Sequence, residues 1–441
     1  MPRKAALPRL TDRLNTASSP SQLKIIDLRV ARVAAPYDYI LIRIDTNQGV
    51  YGLGEGHESS HTIDVLKYKS ILLGQNPRNV DLIFSAIRPY GAFRSEGGGV
   101  SGIETALWDL VGKVYGVPCW QFLGGKYRDS VRLYADTPEP AEPTPAKIAE
   151  VVVGRAKMGL TVIKFDLGLR ALQGQVPQDG VLGARARDDY PLARWHAAHG
   201  QFGAQLTEAG LARFVEIVAA AREAVGPQIP LALDHFGPLT VKDGIRLGRA
   251  LEGYGIAWLE DIMPVDDVEG NRMVTEAIDV PTLNGEQAYL LDGLKEMIEQ
   301  RAVDIIQPDL VTVGGLRETV KVAAYAESFD IPTVLHSAGS PIMFMANIHA
   351  AAAIRSFMCQ EIHSLDIPFW RDLVTGLPDP LIVDGYVQVP EAPGLGVDLN
   401  EEVIREHLRQ PGPGYFEPSD DWNTPKLGWW IPKPGETTRL D

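Results

Sequence analysis

The sequence predicts an α/β protein, a closed parallel barrel preceded by a smaller α+β domain, and three observations carry that expectation. The 441 residues exceed one ordinary domain and accommodate a barrel of about 250 residues with a smaller companion. After residue 128, short apolar runs alternate with amphipathic helical segments, the written form of a parallel barrel. The runs also end in polar or ionisable residues at a nearly constant step. Asp234 to Glu260 and Glu260 to Glu286 are each 26 residues, Asp309 follows after 23, His336 after 27 and Glu361 after 25. One strand–helix unit is about that long, so the step sets these residues at one height around the C-terminal mouth, where barrel sites lie.

Taken in order, residues 1–22 read as a loose tail, with basic residues but no apolar core of a leader peptide. Residues 23–130 read as the α+β domain. KIIDLRVARV and YILIRIDTNQGVYGLGEG have strand character, with TNQG as the hairpin turn. GIETALWDLVGKVYG then puts Ile103, Ala106, Leu107, Leu110 and Val111 on one helical face, and Gly116 with Pro118 stops it. The barrel occupies 131–380. Its strand candidates are VRLYAD, TVIKFDLG, PLALDHFG, IAWLED, PTLNGE, VDIIQPD, PTVLHS and FMCQEIHS, with helices such as VKDGIRLGRALEGYG and GLRETVKVAAYAESFD between the later ones. Residues 170–206 form a polar insertion after the second strand, a lid or an oligomer contact. Residues 381–441 are a C-terminal segment ending in a Pro- and Trp-rich arm.

A 45% hydrophobic, 22% charged composition is that of a soluble globular protein. The net charge of −15 argues against nucleic acid and anionic membrane as partners, though not against a small anion at a metal-neutralised site. Two widely separated cysteines, Cys119 and Cys359, imply neither a disulfide framework nor a thiolate metal site, so a cytoplasmic location is expected. No window approaches about 18 uninterrupted apolar residues.

The strand-end residues supply the chemistry. Asp234, Glu260 and Glu286 on adjacent strands would crowd three negative charges together, which is unfavourable without a cation. With Mg2+, or Mn2+, they make a hard-oxygen site. Asp309 and His336 end neighbouring strands, and a carboxylate beside an imidazole fixes its tautomer and raises its basicity, as a general base requires. Lys164 and Asp166 share one face of their strand and would bring a fixed positive charge and an acid to the mouth. Glu361 lies across the ring. His235 reaches the site only if its strand ends at Asp234.

SGIETALWDLVGKVYGVPCWQFLGG, the TNQGVYGLGEG hairpin, Lys164, Asp234, Glu260, Glu286, the Asp309/His336 pair and Glu361 together resemble the mandelate racemase/muconate lactonizing enzyme branch of the enolase superfamily, and within it the acid-sugar dehydratases. The resemblance implies a (β/α)7β modified TIM barrel under an α+β capping domain, completed by the C-terminal segment. It also implies Mg2+ on Asp234, Glu260 and Glu286. The implied substrate is a sugar acid, aldonate or aldarate. His336 would remove the C2 proton, Lys164 and a protonated Glu361 would hold the enediolate, and loss of the 3-hydroxyl would give a 2-keto-3-deoxy acid. The racemases of this branch carry Lys-x-Lys on the second strand. Asp166 stands at the second position here, which favours one-base elimination. Some dehydratases carry Asp-x-His on the third strand, where this chain reads Asp-His-Phe, so His235, Asp166, Tyr134 and His336 itself all stand as donors to the leaving hydroxyl. Tyr37, Tyr39, His57, Arg94 and Tyr134 are candidates for substrate contact, and a homo-oligomer is expected.

Alternatives within the superfamily are an epimerase or racemase, or a lactone cycloisomerase. A metal-binding barrel without activity is the alternative of another class. An amidohydrolase would want His-x-His where RLYAD stands, and GLGEG lies in a hairpin rather than opening a helix as a phosphate loop does.

Overall fold

The computed structural model describes residues 19–58, 60–91, 99–172, 174–182, 205–234, 236 and 239–425. It opens on an antiparallel meander of β1 (Ile25–Val33), β2 (Tyr39–Thr46) and β3 (Tyr51–Gly56). TNQG makes the expected turn, with Asp45 paired to Tyr51 across it. Helices α1 (Val80–Gly91) and α2 (Val100–Tyr115) cover one face, their Ile83, Ile87, Ile103 and Leu107 packing with Ile40, Ile42 and Ile44. β3 and α2 touch backbone to backbone. A Cβ on Gly54 would fall 2.0 Å from the Gly102 carbonyl oxygen, so the glycines of YGLGEG serve close approach. Strand alternation then turns Leu53 and Glu55 the other way, toward the barrel.

The barrel is built from β4 (Ser130–Ala135), β5 (Ile163–Asp166), β6 (Leu231–Asp234), β7 (Ile256–Glu260), β8 (Thr282–Asn284), β9 (Ile305–Ile306), β10 (Thr333–Leu335) and β11 (Phe357–Ile362). Each strand pairs in parallel with the next, and β11 closes on β4 with Glu361 opposite Tyr134. The intervening helices are α3 (Pro145–Lys157), α4 (Glu208–Val225), α5 (Val241–Leu251), α6 (Val268–Thr275), α7 (Leu290–Glu299), α8 (Leu316–Glu327) and α9 (Pro341–Ala353). This is the expected (β/α)7β order. Side-chain oxygens of Thr144, Thr207, Thr240 and Asp267 accept from backbone N–H groups in the first turns of α3 to α6 and so fix where those helices start.

The starts of α8 and α9 are held by acids of the N-terminal domain, α9 in addition to its Ser340 side-chain cap. Glu104 on α2 accepts from Leu316 N (2.8 Å), Arg317 N (3.2 Å) and Trp108 Nε1 (2.6 Å). Glu55 on β3 accepts from Ser340 N (2.9 Å), Ser340 Oγ (2.5 Å) and Met343 N (3.2 Å). Both acids are buried. Burial pushes Glu104 up to about 8 and Glu55 up to about 7, against the pull of these hydrogen bonds.

Residues beyond the barrel return to the N-terminal domain. Tyr386–Gln388 pairs antiparallel with β4, Arg409 N donates to Arg32 O, Ala34 N donates to His407 O, and Tyr51 hydrogen-bonds Asp398. Of the insertion expected over 170–206, Val181 and Leu206 pair as a short antiparallel bridge, and 183–204 lie outside the described residues, as do the tail 1–18 and the arm 426–441. Among the described residues no helix is long and apolar enough to cross a membrane.

Candidate active site

Inward-facing side chains of the barrel stack in layers because strand side chains alternate faces. One apolar layer takes a residue from each strand path: Tyr134, Val162, Ala232, Trp258, Leu283, Ile305, Val334 and Cys359. Two residues further along each path, on the same face, stand Asp136, Lys164, Asp234, Glu260, Gly285, Gln307, His336 and Glu361. The floor is apolar and the layer above it is polar or ionisable at every position but one.

Lys164 is the hub of that layer. Its Nζ lies 2.8 Å from Asp234 Oδ2, 2.7 Å from Glu260 Oε1 and 3.0 Å from Glu361 Oε1, and all four side chains are buried. Glu260 is also bonded by Trp258 Nε1 (3.0 Å) and Gln307 Nε2 (3.0 Å), and Glu361 by Ser337 N (3.0 Å). His336 stands on the far side of Glu361. Its Nδ1 meets Asp309 Oδ2 at 2.5 Å, and its Nε2 faces Glu286 Oε2 at 3.4 Å and Glu361 Oε2 at 3.5 Å. Asp309 itself is fixed by Thr312 N (2.9 Å).

Electrostatics follow from burial and this charge count. Burial, then the neighbouring Asp234 charge, pushes Glu260 up to about 8, although Lys164 pulls it down. Burial would lower Lys164, but Asp234, Glu260 and Glu361 hold it well above its ordinary value. Burial likewise works against protonated His336, and Glu286, Glu361 and Asp309 outweigh it and hold the imidazole well above its usual range. Burial would raise Glu361, yet Lys164, His336 and His363 hold it below the usual carboxylate value.

The three acids expected to share a metal are not gathered around one point. Asp234 and Glu260 meet at Lys164, whereas Glu286 meets His336. Among the described residues no group of three His, Cys, Asp or Glu side chains is arranged to hold an ion. The even step in sequence is not an even height. Glu286 stands one residue past the layer position, at Gly285, and Asp309 two past Gln307. Glu286 reaches the mouth because β8 ends at Asn284 and Gly285 turns with φ +136°, in space where a Cβ would press on the Gln307 backbone at 3.2–3.3 Å. The donor set nevertheless fits a hard divalent cation. It is all carboxylate oxygen, the ligand type a hard divalent cation takes.

Other expected residues scatter. Tyr134 is sealed in the floor, its hydroxyl held by Gln307 Nε2 at 2.9 Å, so it neither lines the mouth nor delivers a proton there. Tyr39 is buried and bonds Ser364 Oγ (3.1 Å) at the domain junction. His57 sits beside Glu58, 3.2 Å away. Asp166 ends β5 opposite Asp234, and Tyr37 packs edge-on to the His363 ring at 5.1 Å. Arg94 and His235 lie outside the described residues. Missed in the sequence were Asp136, Gln307, His363 and the two junction acids. The first three were legible, since Asp136 and His363 lie two residues beyond Tyr134 and Glu361, and Gln307 two residues before Asp309. Glu55 and Glu104 carried no local signal for this role, because the backbone N–H groups they accept from are over 200 residues away.

Two family models match the chain: mandelate racemase/muconate lactonizing enzyme, N-terminal domain, over residues 18–124, and enolase C-terminal domain-like, over 148–403. The chain is 34% identical to a D-xylonate dehydratase of Haloferax volcanii over 90% of its own length and 92% of the relative's. It is 29% identical to a D-galactarolactone cycloisomerase of Agrobacterium fabrum, over 85% and 92% respectively. A solved mandelate racemase/muconate lactonizing enzyme-like protein from Rubrobacter xylanophilus, 31% identical, superposes with a TM-score of 0.77 over 89% of this chain and 99% of that one.

Proposed function

Because this chain belongs to the mandelate racemase/muconate lactonizing enzyme branch of the enolase superfamily, we propose that it dehydrates a sugar acid to a 2-keto-3-deoxy acid with the help of Mg2+. It is an enzyme of the hydro-lyase class, in keeping with relatives named D-xylonate, D-galactonate and D-mannonate dehydratase. The observation that carries the finer reading is the imidazole of His336, fixed by Asp309 through Nδ1 and turned with Nε2 toward Glu286 and Glu361.

Asp234, Glu260 and Glu286 would hold the cation, with Mn2+ as a substitute. Once bound, it would supply Lewis-acid stabilisation of charge developing on the substrate carboxylate. Lys164 adds a fixed positive charge at the same end of the substrate. His336 takes the C2 proton on Nε2, while Asp309 holds the productive tautomer and steadies the imidazolium. To act as a base His336 must first lose the proton that Glu286, Glu361 and Asp309 favour, and drawing Glu286 toward Asp234 and Glu260 removes one of those three charges. The hydroxyl at C3 then leaves with a proton, and the enol tautomerises. The two buried free cysteines suit a reducing cytoplasm.

A panel of aldonic and aldaric acids with Mg2+, read as semicarbazide-reactive keto acid, tests the reaction. His336→Asn is expected to abolish C2 proton exchange in D2O while sparing cation binding. Exchange retained in that variant would remove His336 from the role. A cycloisomerase reading, prompted by the Agrobacterium relative, predicts no keto acid.

A further inference from the structure

Resting on that reading, we propose that His363, held by Asp136, is the proton donor to the hydroxyl that departs from C3. Neither residue belongs to the proton-abstracting pair or the acids around Lys164. Asp136 nevertheless occupies the reactive layer, two residues beyond Tyr134, and His363 lies two residues beyond Glu361 on the adjacent strand path. Ile362 pairs with Ala135, so the next residue on each path also meet: His363 Nε2 is 3.3 Å from Asp136 Oδ2. Nδ1 is the ring's remaining polar atom.

The placement is fixed from several directions. Arg155 binds both oxygens of Asp366 (3.0 and 2.5 Å) and donates to the Asp136 carbonyl (2.9 Å), tying the two segments together. Ser364, next to His363, donates to Gly339 O (3.2 Å) and accepts from Tyr39 (3.1 Å). Tyr37 of the N-terminal domain covers one side of the imidazole. Asp136 is pushed up to about 6, chiefly by burial, with Asp166 and Glu361 adding to the rise and His363 and Lys164 opposing it. A buried carboxylate among acids and one imidazole is the kind of support that orients a proton donor.

Reach supports the same role. His336 Nε2 lies 3.5 Å from Glu361 Oε2, and His363 follows Glu361 by two residues on the same strand path. A substrate whose C2 lies against His336 has its C3 one bond, about 1.5 Å, further along, so a group beyond Glu361 is in range of the 3-hydroxyl, within the reacting distances of about 3–3.5 Å. The His363 side chain is 25% exposed, against 0% for Glu361, so substrate can approach it. Tyr134, by contrast, is sealed below, and His336, protonated once it has taken the C2 proton, is the competing donor that the variants below separate from His363.

The step balances. The C2–H electron pair, left on the substrate after His336 takes the proton, forms C2=C3. The C3–O pair departs with oxygen, which takes a proton from the His363 imidazolium and leaves as water. The enol then moves its hydroxyl proton to C3 through solvent, His336 releases its proton and His363 regains one.

The test separates the two halves of the reaction. His363→Gln is expected to lower kcat for dehydration by about 10²–10⁴-fold while C2 proton exchange in D2O stays within a few-fold of wild type, which also shows the variant folded and holding substrate. A 3-deoxy-3-fluoro acid, whose fluoride needs less help to leave, is expected to be turned over by the variant at near the wild-type rate. Asp136→Asn is expected to show the same split at about 10–100-fold. Equal loss of exchange and dehydration in both variants, unchanged dehydration, or a raised KM at unchanged kcat would each overturn the role. If the wild type itself neither exchanges C2 nor forms keto acid, the dehydratase reading fails instead, and the two failures are distinct.

Discussion

Replacing Lys164 by Met keeps the stem and removes one charge, and three buried acids lose their shared cation at once. Lys164 Nζ stands 2.7–3.0 Å from Asp234, Glu260 and Glu361, which are buried together. Stripping one partner from a buried ion pair costs about 3–5 kcal/mol, because the remaining charge stays uncompensated. With three acids affected the upper end is expected, relieved in part by proton uptake at Glu260, whose carboxyl is already pushed up to about 8. A raised acid stabilises the fold most at low pH and loses that contribution as pH rises through its folded value, so the variant should recover stability between pH 8 and pH 6. Urea unfolding followed by circular dichroism, with chelator present, reads the loss. Adding a divalent cation at 100 times its Kd should return about 2.7 kcal/mol. A variant within 1 kcal/mol of wild type in chelator, at every pH, would refute the claim that Lys164 holds these acids together.

Three further outcomes are expected. Titrating the wild type with Mg2+ should raise its thermal midpoint and release protons, as Glu260, raised chiefly by burial, gives its proton up; no shift at millimolar Mg2+ would remove the cation site. Gly285→Ala should cost about 1–3 kcal/mol from its positive φ and, by displacing Glu286, lower kcat more than ten-fold, measured by denaturation and keto-acid release; an alanine variant with normal turnover would show that the Gly285 turn does not aim Glu286. Glu55 and Glu104, at about 7 and 8 in the fold and about 4.3 unfolded, bind more protons folded than unfolded in between, so stability should fall as pH rises from about 5 to 8, and Glu104→Gln should flatten that slope in urea melts; a slope steepened by the variant would contradict the assignment.

Architecture was legible because a barrel repeats itself. Eight apolar runs at near-constant spacing specify strand order, and β4 to β11 follow it. Period two within a strand gave Lys164, Asp234, Glu260 and Glu361 the same face. Counting between strands was less reliable, because loops vary the height at which each run ends. Glu286 and Asp309 were chosen as if level with Glu260, but they overshoot their layer and come back through a glycine turn and a short helical cap. Tyr134 was misread because an aromatic at a strand end looks the same whether it fills the floor or faces substrate. Its depth is set by register with Glu361, a pairing across 227 residues that no local pattern encodes.

Glu55 and Glu104 have a consequence for how this chain can be cut or recombined. Helix α8 begins at Gly315, which has no side chain to offer, and its first N–H groups are answered from another lobe. A barrel expressed alone would expose those groups on the rim beside Asp309. Chimeras exchanging the first lobe between homologues should therefore melt as a single unit only when both acids travel with it, and substrate preference is easier to alter through the loops of that lobe than by replacing it outright.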